Sequence, residues 1–133
     1  MKYTPRLWIT TLYFLLIIFS LLIYTSKNWA ISFFSVLSTD FYSHISNFSI
    51  SLIISLSVGY IWLLMGVYFR FIAIFLGIIG ILNVLCETVM GFMNTADLQD
   101  ALYGIIGVGI AFVFLLIMSK YGVVVYKKEE NKN

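Results

Sequence analysis

"NVLCETVMGFMNTADLQDALYGIIGVGIAF", residues 83–112, joins two long apolar runs through a short polar stretch holding Glu87, Asp97 and Asp100. Those three carboxylates are half of the six acidic residues in the chain. Charge is avoided nearly everywhere else, so their place at the shared end of two apolar segments decides how the rest is read. Upstream lies "FIAIFLGIIGILNVLC" (71–86) and downstream "ALYGIIGVGIAFVFLLIM" (101–118). Each run, the first with its ends slightly extended, matches the ~20 residues that carry a helix across a hydrocarbon layer. Backbone groups in lipid must bond within their own segment, so helix is the expected form.

Two more runs of this kind precede them, "LWITTLYFLLIIFSLLIY" (7–24) and "FSISLIISLSVGYIWLLMGVYF" (48–69). Only 11% of the residues are charged and 62% are hydrophobic, whereas a soluble domain carries about 25% charged residues. The chain therefore reads as an all-α polytopic membrane protein with four transmembrane helices in a compact bundle. A single domain, 1–133, is expected, with spans at about 7–25, 46–69, 71–90 and 98–119 and a disordered tail at 120–133. The run at 7–24 is too long for a signal-peptide core and "IYTSKNWA" is a poor cleavage site, so an uncleaved span is expected. The first loop, "TSKNWAISFFSVLSTDFYSH" (25–44), has an apolar middle suited to an interfacial or re-entrant helix.

Basic residues set the orientation. With four spans, Lys2, Arg6, Arg70, Lys120, Lys127, Lys128 and Lys132 fall on one side and Lys27 alone on the other. The basic side is expected to be the cytoplasm, which makes a multi-pass cell-membrane protein with both termini inside. Asp40, Glu87, Asp97 and Asp100 then face outward.

Helices in a membrane associate through small residues and polar contacts rather than through a hydrophobic force. Gly77, Gly80, Asn83 and Glu87 form one stripe on the third span; Asp97, Asp100, Gly104 and Gly107 form one on the fourth; His44, Asn47, Ser51 and Ser55 form one on the second. The first span has only scattered Thr10, Thr11 and Ser20 and is expected to be the most lipid-exposed. Gly77, Gly80, Gly104 and Gly107 are expected to pack the helices. His44, Asn47, Ser51, Asn83, Glu87, Asp97 and Asp100 are expected to converge in an outward-facing pocket. The alternative for Asp97 is a helix cap, and for Asp100 a charge favoured by the helix dipole. The lone Cys86 excludes an internal disulfide and a cysteine metal cluster. No metal-ligand spacing surrounds His44, and Ser51 and Ser55 lack an organised base, so no metal, cofactor or catalytic residue is assigned.

These residues resemble the pattern of VanZ-like membrane proteins over about residues 40–115. In "SHISNF", His44 opens a span; in "CETVM", Glu87 closes the next; in "DALYGIIG", Asp100 is followed by Gly107. Cys86 stands where the family has a second acid, Met90 where it has glutamine and Gly104 where it has asparagine, and the family's loop arginine is missing from "MGFMNTADLQ". The resemblance implies a bacterial plasma-membrane protein linked to reduced susceptibility to teicoplanin-type lipoglycopeptides.

Two functions fit the sequence. In the first, the pocket binds a lipid headgroup or a lipid-linked cell-envelope precursor, with membrane lipids as partners. In the alternative, the chain is an accessory subunit whose glycine faces pack on a membrane partner or a second copy, with no ligand site. An intramembrane enzyme with Glu87 as base and His44 as partner needs a geometry that sequence does not supply. No nucleic-acid partner is expected.

Overall fold

The computed structural model describes residues 2–26, 39–89 and 98–126, with the side chains of the second helix described from His44 onward. In chain order these are β1 (Tyr3–Pro5), α1 (Leu7–Ser26), α2 (Thr39–Met65), α3 (Phe69–Val89), α4 (Leu98–Ile117), a π-helical turn (Met118–Gly122) and β2 (Val123–Val125). All four α-helices are long and apolar enough to cross a membrane. The architecture is an all-α bundle, as expected of a multi-pass membrane protein, with one small addition. The interfacial segment expected in the first loop lies outside the described residues.

The addition is a two-stranded antiparallel ribbon in which Tyr3 faces Val125, Thr4 faces Val124 and Pro5 faces Val123. Three consecutive valines favour extended backbone, and Pro5 ends its strand where no ladder donor is needed. A two-stranded ribbon alone is marginal, and here helix ends hold it. Arg6 N–H donates to the Gly122 carbonyl (2.8 Å), Tyr126 N–H to Lys2 (3.0 Å) and Lys2 N–H to Leu64 (3.0 Å). The expected disorder from residue 120 therefore gives way to order through Tyr126. The two ends of the described chain meet at the same end of the bundle as the α2–α3 turn.

That turn also lies earlier than the apolar pattern suggests, at 66–68 rather than at Arg70, which sits in the first turn of α3. Gly66 decides the position. It takes φ of +87°, and its N–H donates to Leu63 (3.0 Å) while Val67 N–H donates to Trp62 (3.0 Å). This is the Schellman arrangement that satisfies the last carbonyls of a helix, and it needs a residue at ease with positive φ.

The bundle is built around α2 and α4, with α1 packed on α2 and α3 packed mainly on α4. Half of the apolar stretch of α2 and 44% of that of α4 are buried, against 17% for α1 and 11% for α3. The least covered helix is thus α3, not the first span as expected. The reason is aromatic: on α1, Tyr13 stacks on Tyr60 of α2 (4.1 Å, 19°), and Ile9 is fully buried. Only Ile72 and Leu76 of α3 are buried.

Glycine sets how closely α2 and α4 approach. A Cβ on Gly107 would lie 2.5 Å from the Phe48 carbonyl oxygen and 3.2 Å from Leu52 N, and one on Gly59 would collide with Leu115. Gly77 and Gly80 behave differently. No described atom lies within 4 Å of a Cβ built on either, so the expectation that they pack helices of this chain is corrected. Their stripe continues past Asn83 toward the perimeter, because α3 turns only its Asn83–Glu87 end and its Ile72 and Leu76 inward.

Gly107→Ala is therefore expected to force α2 and α4 apart and to destabilise the protein by about 1–3 kcal/mol. Gly77→Ala should leave Tm unchanged or raise it slightly, since alanine favours helix by up to ~1 kcal/mol over glycine. Thermal melting of both variants in one detergent checks the contrast, and equal losses would contradict this packing.

Candidate functional site: a polar ladder between three helices

α2 carries His44, Asn47 and Ser51 at steps of three and four, which puts them on one helical stripe. That stripe faces α3 and α4, and each member finds a partner there. His44 Nδ1 lies 2.7 Å from Asp100 Oδ1. Asn47 Nδ2 donates to Glu87 Oε1 at 3.1 Å. Ser51 Oγ donates to Asn83 Oδ1 at 3.1 Å, and Asn83 Nδ2 donates back to the Ile79 carbonyl of its own helix at 3.0 Å. Six of the seven residues singled out in the sequence as a pocket are thus brought together. The seventh, Asp97, lies outside the described residues.

From His44 to Ser51 the ladder descends roughly 10 Å along the helix axis. Its ionisable members are outermost and its neutral members deepest, the order expected when a charge costs more toward the bilayer centre. Asp100 sits in the first turn of α4, where the helix dipole also favours an anion. His44 is almost wholly covered, with 6% of its side chain exposed, whereas Asp100 keeps 25% exposed. Glu87 is also partly exposed. Among the described residues each carboxylate spends one oxygen on these interhelical bonds.

Two packing details hold the ladder in place. The ring of Tyr103 stacks on His44 (5.5 Å, 15°) and fixes its plane. Gly104 leaves room for the Asn83 carboxamide, because a Cβ there would collide with it. Sequence reading passed over Tyr103; its position three residues after Asp100, on the same face of α4, was the available signal. The stripe continues inward to Ser55, whose hydroxyl is fully buried and has no hydrogen-bond partner among the described residues. Ser49 shares that state one third of a turn round the helix, and nothing in the sequence pattern marked it.

Chemically the ladder offers carboxylate oxygens to an amine or hydroxyl, backed by groups whose orientation is set by bonds across helices. Ser51 directs its hydroxyl to Asn83 rather than to His44, so it is not paired with a base. No three His, Cys, Asp or Glu side chains group as metal ligands among the described residues. No protein-family model, curated protein or solved structure matches the chain.

The outermost pair should be the strongest. A double-mutant cycle on Ser51→Ala and Asn83→Ala should give a coupling of about 0.6 kcal/mol, the usual size for polar pairs between membrane helices. The cycle on His44→Ala and Asp100→Ala should exceed it, reaching about 1.5–3 kcal/mol as for bonds to charged groups. Unfolding titrations in mixed micelles measure both.

Proposed function

We propose that this chain is a multi-pass protein of a bacterial plasma membrane, with both termini cytoplasmic, whose outward-facing recess binds the polar headgroup of a lipid or a lipid-linked cell-envelope precursor. Charge supports the orientation. Lys2, Arg6, Arg70 and Lys120 cluster at the ribbon end of the bundle, and Glu87 and Asp100 lie at the opposite end, as the positive-inside rule requires.

The observation that carries the ligand reading is the convergence of Glu87 and Asp100, from two helices, on one face of a third while both stay partly exposed. Carboxylates used only to end helices in the headgroup zone have no need of partners on α2. A headgroup bearing an amine or hydroxyls suits them through charge-assisted hydrogen bonds, and its acyl chains lie along the apolar flanks. A few convergent polar groups within an apolar surround is the usual form of a ligand site.

The resemblance to VanZ-like proteins adds a proposed role in lowering susceptibility to teicoplanin-type lipoglycopeptides. One departure from that family's pattern has a counterpart here. Gly104 replaces an asparagine on α4, and the carboxamide of Asn83, from α3, occupies the space beside it.

A second reading has its own support. Every rung of the ladder is bonded within the chain, and Gly77 and Gly80 are open to the outside. An accessory subunit, clamped by the ladder and presenting α3 to a membrane partner, fits those facts.

The double variant Glu87→Gln and Asp100→Asn separates the two, because both amides can still accept the bonds from α2. On the ligand reading it loses retention of phosphatidylethanolamine by the purified protein, by about tenfold for a lost charge-assisted bond, and it alters teicoplanin susceptibility in the producing cell. Unchanged retention and unchanged susceptibility would leave the accessory reading standing.

A further inference from the structure

α1 packs on α2 and on the π-helical turn, and between it and α4 runs a groove of about 480 Å³. Leu12 and Leu16 line one wall, and Ile106, Gly109, Val113 and Ile117 line the other; all its lining residues are apolar. From Ile106 to Ile117 the groove extends roughly 16 Å along α4, about half of a ~30 Å hydrocarbon layer. It occupies the half of the bundle nearer the ribbon, so it is one leaflet deep.

Gly109 sets its width. No described atom lies within 4 Å of a Cβ built there, so this glycine serves no close approach of helices. Glycine inside a helix weakens the helix; here the position leaves open space along the groove.

The rim is basic and aromatic. Trp8 precedes Leu12 by one turn and is 46% exposed; Tyr121 follows Ile117 by one turn and is 64% exposed. Arg6 and Lys120 are exposed beside them, and the bond from Arg6 N–H to the Gly122 carbonyl ties the two sides of the rim together. Among the described residues no carboxylate pairs with either cation. Cations and amphipathic aromatics at this depth meet the headgroup layer, where guanidinium and ammonium groups bind phosphate oxygens.

We propose that this groove is a binding site for an anionic phospholipid, with one acyl chain between α1 and α4 and the phosphate held by Arg6 and Lys120. The charge on the rim selects the headgroup and the depth of the groove selects a single-leaflet chain. The site lies at the end of the bundle opposite the ladder and does not depend on the function proposed for it.

Delipidated protein in mild detergent can be titrated with phosphatidylglycerol and with phosphatidylcholine of the same chains, and bound lipid counted by native mass spectrometry. The native protein should retain phosphatidylglycerol more tightly. Arg6→Gln and Lys120→Gln should each lower that affinity about fivefold, the equivalent of one near-surface charge contact, and weaken phosphatidylcholine, whose choline cation offsets its phosphate, by less. Gly109→Leu should weaken both lipids, and Gly109→Ala should do so less, with Tm of each variant in detergent matching that of the native protein. Equal retention of the two lipids by native protein, undiminished retention by Gly109→Leu, or loss of a dimer in place of a lipid from that variant would overturn the proposal.

Discussion

A polar side chain inside a membrane bundle bonds either to the backbone of its own helix or to a partner on a neighbouring one, and three side chains along one stripe of α2 take the second course. His44, Asn47 and Ser51 find theirs on two different helices. This one requirement fixes the rotation of α2 about its axis and of α3 and α4 about theirs. The apolar contacts that follow have no comparable directionality, since lipid tails are as apolar as leucine.

The glycines of α4 turn that requirement into close packing. Gly107 brings the α4 backbone against that of α2 at Phe48, and Gly104 admits the Asn83 carboxamide. Larger residues at either point would hold the donors and acceptors of the ladder beyond bonding reach. Polar pairing and small-residue packing are therefore one device, with each conditional on the other. The same residue type has other effects elsewhere: Gly66 ends a helix, and Gly109 leaves room along a groove.

Much of this was readable in the chain itself. The four helices follow from uninterrupted apolar runs, which have few other outcomes in a membrane. The meeting of His44, Asn47 and Ser51 with Asn83, Glu87 and Asp100 follows from steps of three and four that put each set on one face. The failures have physical causes as well. A stripe of small residues shows which side of a helix is smooth but not whether a neighbour covers it, so the pattern predicts contacts at Gly77 and Gly80 that are not made among the described residues. The three-residue strands at Tyr3–Pro5 and Val123–Val125 are too short for any periodic signal, and their pairing spans nearly the whole chain. The end of α2 depended on the backbone angle of Gly66, which an apolar run through residue 69 conceals.

The ribbon has a consequence for the order of assembly. Its second strand is made after all four helices, yet it anchors the residues just before the first. During synthesis the base of α1 has neither the Gly122 carbonyl nor β2 to hold it, and its contacts with α2, the Lys2–Leu64 hydrogen bond and the Tyr13–Tyr60 stack, restrain it until then. Closure of the ribbon therefore waits for Val123–Val125, and a chain cut short before Val123 would have its four α-helices but no fastening between the segments that flank α1 and α4.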